Sequence, residues 1–311
     1  MIFIHTSTED GLSEIDDYEE GCWVRVVNPT EKEIAALIDR FGMPLDFITD
    51  PLDIDERARV EVEEGNTLIL LRSPKREPEG SAIPFITLPI GIILTPDLII
   101  TVSLTEVDVI QEFLNCWVRN FDTRFRTRFV LQLCYRSALR FLRYLKEINR
   151  LTNKMETELH RSTKNEQLIN LFSLQKSLVY FTTSLRTNSL MFEKFPYVAA
   201  LDISAEYEED LYEEAVIENK QGLEMANIYT SILTGMMDAF ASVISNNVNV
   251  VMKLLTSVTI LLMIPTFMVS MYGMNVNLPL QEDPYAFIEV MIISLFLVMC
   301  GFLVLIRKKV L

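Results

Sequence analysis

The chain has 311 residues, enough for one sizeable soluble domain plus an appendage. Half of them are hydrophobic and mean hydropathy is +0.23, yet the formal net charge is −15. The excess of acid argues against a nucleic-acid partner and favours metal cations or basic surfaces. Apolar and acidic residues are segregated: carboxylates crowd the part before residue 225, and the stretch after about residue 250 holds few charges. The cysteines, Cys22, Cys116, Cys134 and Cys300, form no C-x-x-C pair, and His5 and His160 are the only histidines, so no zinc-finger spacing exists. All four cysteines read as reduced structural residues, which suits a cytosolic domain.

The opening MIFIHTSTEDG has too short an apolar stretch for a signal peptide and carries acids at once. The part before about residue 240 is therefore expected on the side where it is made. Residues 1 to about 120 read as α/β, with β-rich runs at 2–6, 23–27, 67–71, 85–94 and 98–103. Glu64-Gly65-Asn66 and Thr95-Pro96-Asp97 are turn signals between them. Thr30 and Glu33 make a capping box for a helix whose buried stripe is Ile34, Leu37, Ile38 and Phe41 and which Gly42 ends.

Residues 124–162 and 164–194 read as two long helices without Gly or Pro. The first is basic (Arg124, Arg126, Arg128, Arg136, Arg140, Arg143, Lys146, Arg150) and reads as a solvated face. The reverse follows: Asp202, Glu206, Glu208, Glu209, Asp210, Glu213, Glu214 and Glu218 cluster near Lys220. Helical character then continues from about 205 to 271, on the order of 100 Å at 1.5 Å per residue. Such a rod exceeds a bilayer's thickness, so it must be part stalk and part membrane span.

Leu254 to Tyr272 contains no charged residue and is long enough to cross about 30 Å of hydrocarbon. A second apolar run, Val290 to Ile306, begins after Glu289. Lys253 precedes the first span and Arg307, Lys308 and Lys309 follow the second. The loop from Gly273 to Tyr285 has no Lys or Arg but holds Glu282 and Asp283. The positive-inside rule then places both termini in the cytosol and the loop outside. Asn249, Met252, Thr256, Thr259, Met263, Thr266 and Ser270 fall within an arc of about 100° on a helical wheel. The stripe is either a helix-packing face or a pore lining. Two helices from one chain cannot enclose water, so a pore would need several copies around it.

Tyr272-Gly273-Met274-Asn275 sits where the first span ends, and the run Asn246 to Asn275 precedes a second span and a basic tail. In these features the sequence resembles the CorA family of divalent-cation channels. The resemblance implies a homopentameric funnel in which each subunit has an N-terminal cytosolic α/β domain, a long helical stalk and two C-terminal transmembrane helices. It places Asn249 at the cytosolic mouth, Met252 and Leu255 at a hydrophobic constriction, Met263 at a second narrow ring and Thr266 at a hydroxyl ring. Thr256, Thr259 and Ser270 complete the pore-lining set. Gly273, Met274 and Asn275 would form the external selectivity entrance, with Gly273 where the chain must turn tightly.

The implied function is Mg²⁺ influx down the membrane potential, gated by cytosolic Mg²⁺, with Co²⁺ or Ni²⁺ as side cargo. Mg²⁺ is then both transported and regulatory. A ring of neutral Asn oxygens suits an ion that dehydrates reluctantly and must leave again. Family gating uses acids between subunits. Counting back from Asn275 places Glu214 at the stalk's regulatory carboxylate, where the family often has Asp, with Glu213 beside it and Asp238 at another acidic position. Partner acids are expected in the loop after strand 67–71, SPKREPEG, at Glu77 and Glu79 among Lys75 and Arg76. The alternative for Glu213 and Glu214 is a solvated acidic face.

The chain accordingly divides into a cytosolic α/β domain (1–120), long antiparallel cytosolic helices (121–204), a stalk helix (205–252) and a pore-lining span (253–272). An external loop (273–286), a second span (287–306) and a cytosolic basic tail (307–311) follow. The partners implied are a homopentamer, the lipid bilayer of the cell (inner or plasma) membrane and divalent cations. No phosphate loop, nucleophile motif or catalytic metal cluster points to an enzyme. Two rivals stay open. One is a zinc transporter of the ZntB-like branch, which typically carries Ile where this chain has Met274. The other is a non-conducting, membrane-anchored cation sensor.

Overall fold

The structure, a computed structural model, describes residues 1–8, 11–78, 80–161, 165–274, 276, 279 and 284–308; of 158–161 and 165–167 it describes the backbone alone. The chain divides into two compact units, Met1–Met237 and Asp238–Leu311.

In the first unit, β1 (Ile2–Thr8), β2 (Gly11–Ile15), β3 (Trp23–Val27), β4 (Arg59–Glu63), β5 (Asn66–Arg76), β6 (Phe85–Leu94) and β7 (Ile99–Ser103) form one sheet. The order is β2-β1-β3-β7-β6-β5-β4, with β3 and β7 parallel and every other pair antiparallel. The central strands are buried on both faces, which is why β6 and β7 read as nearly unbroken apolar runs. One face packs on α1 (Glu31–Phe41) and α2 (Asp46–Thr49) through Val24, Val26, Leu37, Phe47, Leu68 and Ile100. The other face carries Trp23, Ile69, Ile90 and Ile92. It meets α3 (Asp108–Leu114) at Phe113, α4 (Arg126–Arg161) at Phe129 and Leu133, and Leu211 and Ala215 of α6 (Glu206–Tyr272).

Local chemistry fixes the joints. The Thr30 hydroxyl accepts from the Glu33 N–H, and the Glu33 carboxylate accepts from the Thr30 N–H at 2.7 Å, so both orphan donors at the start of α1 are satisfied. Gly42 ends that helix at φ +61°. Trp23 is fully buried, donates to the Thr101 hydroxyl at 2.8 Å and meets Phe113, Phe121 and Phe129 edge-on. The second long helix, α5 (Asn165–Phe192), is clamped to β5. The Asn188 side chain accepts from the Arg72 N–H at 3.0 Å and donates to the Arg72 carbonyl at 2.9 Å. The Arg72 guanidinium donates to the Thr87 hydroxyl, and Ser184 of α5 donates to that same oxygen.

Several expectations change. Strands β2 and β4 were not expected; β4 alternates Val60 and Val62 with charged neighbours and so reads as surface. The expected loop after residue 71 is strand as far as Arg76. Pro74 lies opposite Thr87 of β6, while β4 pairs with β5 only from Asn66 to Leu70, so the proline's missing donor falls on an open edge. The basic face of α4 is only partly solvated. Arg140 bonds Glu112, Asp108 and Tyr144, Arg136 pairs with Glu112, and Arg128 pairs with Glu208. Arg143, Lys146 and Arg150 remain exposed. The cysteines are free thiols, but Cys116 is exposed.

In the second unit, α6 continues to Tyr272 and α7 spans Ala286–Arg307. Both hold an apolar window, of mean hydropathy 2.0 and 2.7, long enough to cross a membrane, and 6% of each window is buried. The two helices pack at Gly301 of α7, against Leu261 and Ile264 of α6.

Candidate functional site

The polar stripe of the first span is seen directly. Asn249, Met252, Thr256, Thr259, Met263, Thr266 and Ser270 are all exposed, whereas Ser257 is buried and Leu261 and Ile264 are partly so. By helical geometry the stripe's centre lies about 135° round α6 from the side that meets α7. The stripe is therefore not the face used for packing within the chain. Its far side is left for water, lipid or another copy, while Asn249, Met252 and Thr256 share a groove with Leu305 of α7 and Met263 shares one with Leu297.

Two hydroxyls on the stripe are already oriented. Thr259 donates to the Leu255 carbonyl at 2.8 Å and Thr266 to the Leu262 carbonyl at 2.9 Å. With the proton spent on the backbone, each hydroxyl presents acceptor lone pairs outward. An acceptor facing an aqueous path suits a hydrated cation. Met252 and Leu255 sit about one turn apart, both exposed, below these hydroxyls. Asn246, Asn249 and Thr256 line a groove of about 390 Å³ that Leu305 of α7 closes on one side. Pro265 lies inside α6 and donates no hydrogen bond to the Leu261 carbonyl, which loosens the helix near Met263.

At the end of α6, the Gly273 N–H donates to the Val269 carbonyl at 2.9 Å. Gly273 lies in a turn directly after α6, without a left-handed φ. A Cβ on it would lie 3.3 Å from the Val269 carbonyl oxygen of the preceding turn. The Tyr272 hydroxyl donates to the Pro279 carbonyl at 3.2 Å. Met274 is exposed. Asn275 lies outside the described residues, as do Glu79, Glu282, Asp283 and Lys309; of His160, only the backbone is described.

The acidic cluster is not uniform. Glu208 is buried against Arg128 at 2.8 Å, and that guanidinium is sandwiched by Phe125 and Tyr207. Glu213 and Glu214 are exposed on α6. Asp238 is exposed in the second unit. Glu77 follows the end of β5 and lies 3.9 Å from Lys75, and Arg76 pairs with Glu147 at 3.0 Å. Among the described residues, no three His, Cys, Asp or Glu side chains converge as a metal site. Sequence reasoning missed Ser257 and Gly301, although small residues within apolar spans signal helix contacts.

Residues 18–308 match a family model described as CorA-like Mg2+ transporter protein. The cobalt/magnesium transport protein CorA of Methanocaldococcus jannaschii is 28% identical over 318 aligned positions, covering 96% of each chain. The solved complete CorA magnesium transporter from that organism matches with a TM-score of 0.83 at 22% identity, over 99% of this chain and 98% of that one. Full-length CmaX matches with a TM-score of 0.67 at 15% identity, over 96% of both chains. The ZntB cytoplasmic domain from Vibrio parahaemolyticus matches with a TM-score of 0.63 at 12% identity, over 78% of this chain and 98% of that one. The structural likenesses, all under 25% identical, bear on the fold alone.

Proposed function

The chain belongs to the CorA-like Mg2+ transporter family, and on that premise we propose that it is a homopentameric channel carrying Mg²⁺ into the cell. The observation that carries this reading is the exposed stripe from Asn249 to Ser270, turned away from α7 and bearing outward-facing hydroxyl acceptors. Five copies around an axis would bring the stripes together as a water-filled path. Lipid would cover the remaining apolar faces of α6 and α7. Both termini lie in the cytosol in this arrangement, and Lys253, Arg307 and Lys308 sit at the inner surface.

Cargo moves by weak contact with a hydrated ion rather than by tight capture. Asn275 amides at the outer mouth, with Gly273 and Met274, hold the hydrated ion through its waters. The hydroxyls of Thr266 and Thr259 solvate it further in. Met252 and Leu255 close the path by dewetting when the pore is narrow. The potential supplies about 2.3 kcal/mol per charge per 100 mV, so roughly twice that for a divalent ion. Cytosolic Mg²⁺ at Glu213, Glu214 and Asp238, with Glu77 and Glu79 as partners across subunits, would neutralise like charges and favour the closed ring.

Purified protein in liposomes, offered Mg²⁺, Co²⁺, Ni²⁺ and Zn²⁺ separately, tests the reading. Mg²⁺ influx with weaker Co²⁺ and Ni²⁺ influx is expected. Zn²⁺ influx without Mg²⁺ influx would support a zinc transporter, and no flux at all a sensor.

A further inference from the structure

A groove of about 390 Å³ runs along the second unit where the end of α7 lies beside α6. Its size falls within the usual range for small-molecule sites. Asn246, Lys253, Ser257 and Ile260 lie on the flank of α6 toward α7, Leu305 of α7 closes one side, and Asn249 of the stripe forms the outer lip.

Three observations say what it would hold. The first concerns hydroxyls. Thr259 and Thr266 donate to carbonyls one turn back, whereas Thr256 and Ser257, which line the groove, make no hydrogen bond with any described residue. Ser257 is 1% exposed. A buried hydroxyl without a partner is costly in an apolar span, so it calls for a polar group on a guest.

The second concerns charge. Lys253 lines the groove and no acid does. Arg307 and Lys308 end α7 within about one turn of Lys253 along the axis, counting from Gly301 beside Leu261 and Ile264. All three cations are exposed, and none pairs with a described acid. The nearest acid on α6 is Asp238, about 12 Å along the helix from Asn246. In a chain of net charge −15, this end of the second unit is positive.

The third is a gradient of polarity. Asn246, Asn249 and Lys253 occupy one end of the groove, and Ile260 and Leu305 lie in the apolar runs of the two spans. Amides and cations at one end with hydrocarbon at the other fit an amphiphile with a negative head. Basic pockets between membrane helices hold such head groups. A soluble phosphate would leave the apolar end unfilled, and an apolar face of a second copy would leave the hydroxyls and cations without partners.

We propose that this groove holds one anionic phospholipid per chain. Its phosphate pairs with Lys253, Arg307 and Lys308, an ester oxygen accepts from the Ser257 hydroxyl, and an acyl chain lies along Ile260 and Leu305. The site rests on α6 and α7 lying in a bilayer, and not on which ion the chain conducts or whether it conducts.

The test uses the full-length protein in mild detergent, titrated with phosphatidylglycerol and, separately, with phosphatidylcholine. Native mass spectrometry counts the bound lipid. One phosphatidylglycerol per chain is expected, with phosphatidylcholine held at least about fivefold more weakly. Lys253→Gln should weaken phosphatidylglycerol binding roughly fivefold, the usual worth of one basic residue at an anionic lipid surface. Ser257→Ala should weaken both lipids alike, since both carry the ester. Lys146→Gln, which removes an exposed cation of the first unit, should change nothing. Glycerol 3-phosphate should not displace the lipid. Equal retention by wild type, Lys253→Gln and Ser257→Ala, all folded by circular dichroism, would mean an unspecific lipid coat and would overturn the proposal. Displacement by glycerol 3-phosphate would overturn it too, in favour of a soluble anion. So would a folded, assembled wild type that retains no phosphatidylglycerol, since another copy would then fill the groove.

Discussion

Gly301 on α7 lies so close to Leu261 on α6 that a Cβ in place of its hydrogen would sit 3.2 Å from Leu261 Cδ2. This contact fixes which side of α6 is spent on its own chain, and hence which side is left for the polar stripe. Gly301→Leu would force the two spans apart, at about 1–3 kcal/mol by the usual cost of overpacking. The assembled form should be lost or much reduced on size exclusion with light scattering. Gly301→Ala, which asks the leucine to give by only a few tenths of an ångström, should assemble nearly as wild type.

The proposed constriction makes a second expectation. Leu255 is apolar, exposed on the single chain and near the N-terminal end of the span. Leu255→Ser would wet that ring. Mg²⁺ current measured with inhibitory internal Mg²⁺ should rise severalfold. An unchanged residual current would place the closed gate elsewhere.

The proposed feedback by Mg²⁺ gives a third. Glu213 and Glu214 are both exposed and carry no partner that α4 supplies to Glu208. Replacing both with Ala should raise the internal Mg²⁺ needed for half inhibition by several-fold, because a bound ion can shift the equilibrium only by its differential affinity. Superimposable inhibition curves would reduce the pair to a solvated face.

The clamp between helix and sheet gives a fourth. Asn188 satisfies both backbone groups of Arg72, and both residues are buried. Asn188→Ala would strand a donor and an acceptor at once. The first unit should lose about 2–4 kcal/mol, within the range for two unsatisfied buried groups. Chemical denaturation of the full chain in detergent measures it.

A fifth concerns pH. Burial first, then the Arg25 charge, hold His5 below its ordinary value, and its ring lies against Trp23 at 5.3 Å. A folded pKa below the unfolded one means the unfolded chain takes the proton first. The stabilising difference is complete above the unfolded value, about 6.5, and is lost as pH falls through the folded one. Thermal stability should therefore begin to drop as pH falls below about 6.5, ahead of most carboxylate titration. His5→Asn should flatten that window.

Much of this was legible in the sequence because it depends on local rules. The Thr30–Glu33 box, the Gly42 stop, the apolar runs of β6 and β7 and the two spans each rest on residues near one another in the chain. What was missed depends on distant partners. Strand β4 is half charged and is a strand only because β5 offers it a register from Asn66 to Leu70. Pro74 argued for a loop, and only the register of β4, which ends at Leu70, shows that its side of β5 is not paired there. Arg140 looked solvated until α3 supplied Asp108 and Glu112. The stripe from Asn249 to Ser270 was visible as periodicity, but whether it packs on the second span could be answered only by the placement of Gly301.

The claim that this stripe faces water in the assembled protein is open to direct measurement. In a background with Cys116 and Cys300 changed to Ser, single cysteines would be placed at Thr256, Thr259 and Met263 on the stripe. Leu254, Val258 and Val269, also exposed on the single chain but on other sides of α6, would serve as controls. A charged, membrane-impermeant thiol reagent would then be applied during Mg²⁺ flux into liposomes. Block at the three stripe positions, with flux through the three controls unaffected, is the expected result. Equal block at both sets, or block at the controls alone, would contradict a pore lined by this face of α6.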